Sequence, residues 1–211
     1  LAPAVLLILI LFGGGLLLAL WQALGYLPEK DFFSIDFKYF HNVFHDPDFS
    51  TSLALTLYIS ITSTCIAALI SVLLALALIR WADRSRLLSF ALQIPLAAPH
   101  LVVAVSILLL LSPSGFLSRL CSSLGIISSS SSFPLLVNDQ FGISILTVYV
   151  WKEVPFITFM LLSVLKNMGS ELIEVGTTLG SSASQRFRYI ILPVISPSLG
   201  AASLIVFAFT F

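Results

Sequence analysis

Residues Glu174–Pro193 read EVGTTLGSSASQRFRYIILP, a polar, glycine-punctuated stretch with two arginines set between long apolar segments. Leu172, Val175 and Leu179 recur at i, i+3 and i+7, the spacing of one apolar stripe on a short helix. Ser170 is placed to cap it, and Glu171 and Glu174 fall in the first turn, where carboxylates favour the helix dipole. Gly180 can take a left-handed conformation and stop the helix. Ser182 with Gln185 three residues on is a capping-box pattern for a second helix. That helix is expected to run through Phe187 and Ile190 until Pro193 ends it. On chemistry alone the hairpin is either a docking element for a soluble partner or an interfacial anchor, with Arg186 and Arg188 near anionic headgroups.

The rest of the chain says where this hairpin sits. Of 211 residues, 58% are hydrophobic and 9% charged, and the mean hydropathy is +1.08. A soluble domain carries about 25% charged residues, so the bilayer must be part of the solvent. Zero net charge argues against a nucleic-acid partner. Cys65 lies in an apolar run and Cys121 in a loop, so they are expected to be unpaired. His41, His45 and His100 lack the partners of a metal site, and the i,i+4 spacing of the first two is read as an accident of a polar loop.

The expected architecture is all-α, a polytopic transmembrane helical bundle with about five spans. They are residues 4–24, 53–79, 87–111 (broken by Pro95 and Pro99), 141–165, and a fifth opening near Val194. The first run is longer than a signal-peptide core and is read as a retained helix. Its Gly13–Gly15 run would allow close backbone approach to a neighbour. Leu117, Leu120 and Leu124 suggest a short interfacial helix before the serine run 128–132, whose low complexity leads one to expect mobility. The chain begins without methionine and stops within an apolar run, so a sixth span is expected beyond it.

Basic residues set the orientation. Arg80, Arg84 and Arg86 in one turn, with Lys166, Arg186 and Arg188 around the hairpin, outnumber Lys30, Lys38 and Arg119 in the other loops. The positive-inside rule then puts the hairpin and the N-terminus in the cytoplasm.

The hairpin resembles the EAA loop of binding-protein-dependent ABC importer permeases, the MetI-like type I family of the bacterial inner membrane. Glu174, Gly180, Phe187, Ile190, Leu192 and Pro193 stand at the motif's positions, and Val175 and Gly176 replace its two alanines. The similarity covers about residues 39–211, including Asp48-Phe49, Thr56, the Arg80 turn and the proline-broken span. Residues 1–38 then hold an extra N-terminal helix and the start of a periplasmic loop. The resemblance implies a second permease subunit, a periplasmic substrate-binding protein, and a cytoplasmic ATPase gripped by Glu174, Val175, Gly176, Leu179, Gly180, Phe187, Ile190, Leu192 and Pro193, with Glu174 and Gly180 central. It implies no cofactor and no catalytic residue in this chain, which lacks a phosphate-binding glycine loop. The layout is also similar to the polyamine, iron(III), thiamine or phosphonate branch of that family.

Lys152 and Glu153 sit near the middle of the fourth span. A charge there costs about 2.5–3.5 kcal/mol on insertion scales, so both should face protein or water. They are candidates for a translocation pathway, against the alternative of an interhelical ion pair. Adjacent positions point about 100° apart, so they need not pair with each other. His100 follows Pro99, and the plainer reading is an imidazole satisfying a carbonyl freed by the kink, against contact with a substrate. A secondary transporter or channel, with a non-coupling loop at 166–193, is the alternative function. A membrane-embedded enzyme finds no Ser/His/Asp, HExxH or paired-Asp arrangement in the spans.

Overall fold

A computed structural model describes residues 2–25, 37–79, 86–129, 132–169 and 171–211. Ser170, Arg80, Arg84 and the centre of the serine run lie outside the described residues. The described residues are helical, with no strand among them. They fall into two compact units, Leu1–Leu55 and Thr56–Phe211.

The first unit holds α1 and α2 and the start of α3. Helix α1 (residues 2–23) comprises Ala2–Ile8, a π turn at Leu9–Gly13 and Gly14–Ala23. Among the described residues of the first unit, nothing lies within 4 Å of a Cβ built on Gly13, Gly14 or Gly15. The leucines around them are exposed, so this face is unpacked among the described residues of the first unit. Helix α2 (Lys38–His45) turns within one residue into α3 (Pro47–Leu78). Pro47 opens α3, where its missing amide costs nothing, and Asp46 Oδ1 accepts the Asp48 amide at 2.9 Å.

The second unit is built on α7 (Ile143–Met168), packed against α9 (Ala183–Thr210) and the latter part of α3. Ala67, Ser71 and Ala75 of α3 and Ala202 of α9 are buried beside Ile157, Leu161 and Leu165 of α7. Small residues let these helices close up in a setting where packing, rather than water exclusion, drives association. Ser71 Oγ donates to the Val154 carbonyl at 2.9 Å, tying α3 to α7. Asp139 caps the start of α7, its carboxylate accepting the Phe141 and Ile143 amides at 3.0 and 2.9 Å.

Among the described residues, five helical stretches are long and apolar enough to cross a membrane: Val5–Ala23, Pro47–Leu78, His100–Ser123, Ile143–Met168 and Ala183–Thr210. Two expectations are corrected. The third span does not run over 87–111: the chain breaks at Ala98-Pro99 between α4 (Arg86–Ala97, with Pro95 inside it) and α5 (His100–Leu111), and the stretch long enough to cross is His100–Ser123. Pro99 is fully extended in ψ (φ −60°, ψ 142°), which opens the chain instead of bending it. Helix α6 (Phe116–Ser123), the short helix expected from its leucines, then packs on α5.

The second correction concerns Pro193, which does not end its helix. Residues 183–210 are continuous, because a π turn at Phe187–Ile191 comes immediately before it. The proline therefore occupies the first turn of the following α segment, where a ring in place of an amide is tolerated.

Candidate functional site

Two places in the second unit carry polar groups that the core does not need. The first is the hairpin. Helix α8 (Glu171–Thr178) ends in a Schellman motif: Ser181 N–H bonds the Gly176 carbonyl and Gly180 N–H the Thr177 carbonyl, both at 3.0 Å. Gly180 holds φ +77°, the left-handed region where a side chain is disfavoured. The expected capping box starts α9, with Gln185 N–H to Ser182 Oγ at 3.2 Å and Ser182 N–H to Gln185 Oε1 at 2.8 Å. The elbow is locked further by Ser181 Oγ donating to the Gly176 carbonyl at 2.6 Å and by Arg186 donating to the Ser181 carbonyl.

The hairpin residues then divide by direction. Leu172, Val175 and Leu179 are 50%, 56% and 82% exposed, so the apolar stripe faces away from the fold. Glu174 is exposed beside it. Thr177 and Thr178 are spent internally, on carbonyls one turn back. Gly176 is buried, and a Cβ there would come within 3.0 Å of Ile190 Cδ1. Phe187 packs onto the core of the bundle, while Leu192 and Pro193 belong to the exposed side of α9. The motif positions therefore do three different jobs: outward surface, elbow contact and anchor.

The second place is the break between α4 and α5. A proline at 99 has no amide to offer the carbonyl four residues earlier, which is that of Pro95. Lys152 fills the vacancy, its Nζ donating to the Pro95 carbonyl at 3.2 Å and the Ala98 carbonyl at 2.5 Å. Lys152 is 8% exposed, and its Nζ sits at the negative end of α4, where a cation is favoured. This corrects the expectation that His100 would satisfy the freed carbonyl. His100 lies past the break in α5, and its ring meets Tyr149 at 6.1 Å and the Glu153 carboxylate, Nε2 to Oε1, at 3.8 Å. Lysine has the reach to serve a carbonyl on the far side of a helix end; the imidazole does not.

Lys152 and Glu153 thus use different partners on α4 and α5, as neighbours about 100° apart on a helix should. Glu153, His100 and Lys152 line a cleft of about 280 Å³ with Leu96, Phe156 and Phe209. His100 also borders a second cleft of about 450 Å³ that includes Tyr149 and Asp139. The sequence signal for the lysine's partner was available: prolines four apart mark one carbonyl that must find a donor elsewhere.

Residues 67–211 match the family model described as binding-protein-dependent transport system inner membrane component. The trehalose transport system permease protein SugA of Mycobacterium tuberculosis is 28% identical over 208 residues, covering 96% of this chain and 65% of its own. A probable sulfate transport system permease protein, cysT of Marchantia polymorpha, is 26% identical over 155 residues, 73% of this chain and 50% of that protein. The chain thus spans about half to two-thirds of the length of these relatives. The fold matches a chain in the crystal structure of a bacterial ABC transporter involved in import of the acidic polysaccharide alginate. The TM-score is 0.76 at 22% identity, covering 97% of this chain and 69% of that one.

Proposed function

Because the chain belongs to the family of binding-protein-dependent transport system inner membrane components, we propose that its hairpin is the element through which a cytoplasmic ATPase drives it as an importer permease. The single observation that carries this is the outward stripe Leu172, Val175 and Leu179 on an elbow locked by a Schellman motif and a capping box. A membrane anchor would also expose apolar groups, but it would not need the turn fixed by six separate hydrogen bonds. A rigid elbow transmits force; a floppy one absorbs it.

In this reading the permease sits in the bacterial inner membrane with its N-terminus and hairpin inside. It pairs with a second permease subunit and receives substrate from a periplasmic binding protein. ATP-driven closure of the ATPase moves the hairpin, and the spans alternate between inward and outward openings. His100 and Glu153 line the translocation pathway, and Lys152 holds its wall. Relatives for sulfate, spermidine and trehalose share similar identity to this chain, so the substrate is left to the binding protein.

The test is a single cysteine at position 179 in a chain with Cys65 and Cys121 replaced. A membrane-impermeant maleimide should label it in inverted vesicles and not in intact spheroplasts, and the bound ATPase should block the label. Labelling from the periplasmic face would overturn the proposal. Labelling that the ATPase leaves unchanged would favour the channel or secondary-transporter reading.

A further inference from the structure

Lys152 lies on α7, the helix that leads through Met168-Gly169 to α8 and the hairpin. Its side chain ends on the last carbonyls of α4, at the break between α4 and α5. Both α4 and α5 pack on α7 around this point. A break with an extended proline and no continuous hydrogen-bond ladder is a natural hinge. A buried cation holding two carbonyls at its edge fixes the angle of that hinge.

We propose that Lys152 is a positioning residue for transport: it pins the α4–α5 hinge to α7, so that displacement of the hairpin carried along α7 resets the angle between α4 and α5. This rests on the permease reading above. Although it borders the cleft, the lysine acts by holding Pro95 and Ala98, and with them the start of α5, which sets His100 3.8 Å from Glu153 of α7. The requirement is for a donor of sufficient length. Arginine should substitute, while methionine, of similar volume but without a donor, should not. Pro99 creates part of the need, so Pro99→Ala, which restores an amide for the Pro95 carbonyl, should make Lys152 less important.

The experiment uses the full-length permease assembled with its ATPase in proteoliposomes, with Cys65 and Cys121 replaced and spin labels at positions 90 and 108, both exposed, on either side of the hinge. Electron–electron distance distributions are recorded without nucleotide and after vanadate trapping. The unsubstituted protein is expected to give two narrow, different distances. Lys152→Met should broaden both at least twofold and erase the difference between them, and Lys152→Arg should keep them. Apparent melting temperature should fall by about 5–10 °C in Lys152→Met and recover by at least half in the Lys152→Met/Pro99→Ala double variant.

Narrow, nucleotide-dependent distances in Lys152→Met would overturn the pin while leaving the transport reading intact. Distances that never respond to nucleotide, even in the unsubstituted protein, would instead count against the transport reading. If Lys152→Met does not assemble, the double variant decides: failure to restore assembly overturns the assignment of the Pro95 carbonyl as the lysine's task.

Discussion

Leu179→Asp is expected to abolish ATP-driven uptake while leaving the helical bundle folded. Leu179 is 82% exposed, so the fold loses almost no buried surface when it changes. A partner that covers this leucine gains about 1.5–3 kcal/mol from burying it. Aspartate forfeits that gain and also brings a charge that must be desolvated in the partner's cleft. Together these should weaken ATPase binding at least ~100-fold, since about 1.4 kcal/mol is a factor of ten. The checks are titration of the ATPase against the purified permease and uptake in proteoliposomes. Circular dichroism and gel filtration should be unchanged. Unaltered ATPase affinity in Leu179→Asp would sink the idea that the stripe is the docking surface.

Gly176→Leu should be the most damaging single change inside the hairpin, and Gly180→Ala a mild one. A Cβ on Gly176 would lie 3.0 Å from Ile190 Cδ1, 3.2 Å from Ser181 Oγ and 3.4 Å from Arg186 Cγ. Even alanine asks these neighbours to yield by a few tenths of an ångström. Leucine would prise α8 off the π turn and break the Ser181 bonds to the Gly176 carbonyl. Overpacking of this sort costs about 1–3 kcal/mol, which is enough to unlock an elbow this small. At Gly180 the Cβ direction is open, with nothing within 4 Å. The penalty there is the positive φ alone, about 1–2 kcal/mol for a non-glycine residue. Amide hydrogen exchange over residues 171–186 should therefore accelerate strongly in Gly176→Leu and modestly in Gly180→Ala, with uptake lost at least tenfold in the first. The reverse ranking would show that the bend, not the elbow contact, controls the lever.

Much of this was legible in the sequence because it is local. The capping box at Ser182 and Gln185 needs only the right oxygen three residues from the right amide. The left-handed stop at Gly180 needs only a residue without a Cβ. The apolar stripe at 172, 175 and 179 follows from helix periodicity. Four of the five long apolar helices were placed by run length, because about 20 apolar residues in a row have few fates other than a bilayer. The EAA-loop resemblance, extended by the family match over residues 67–211, rests on the same kind of short-range information.

What the sequence left open depends on groups far apart in the chain. Pro193 was read as a helix end, since proline normally is one; the π turn before it is a property of the whole elbow, in which Gly176 and Ile190 must meet. The two prolines predict freed carbonyls without saying which residue serves them; the donor to that of Pro95 is Lys152, 57 residues away. Only the packing of α4 and α5 on α7 brings that ammonium to it, because a buried charge goes wherever the fold leaves an unpaired acceptor within reach of its stem. Composition and periodicity thus determined that the chain is a helical membrane protein carrying a polar two-helix hairpin; the outward direction of its apolar stripe came from the fold. Tertiary packing decided which polar residue serves which break, since hydrogen-bond partners across helices are chosen by distance in space and leave no fixed spacing in sequence.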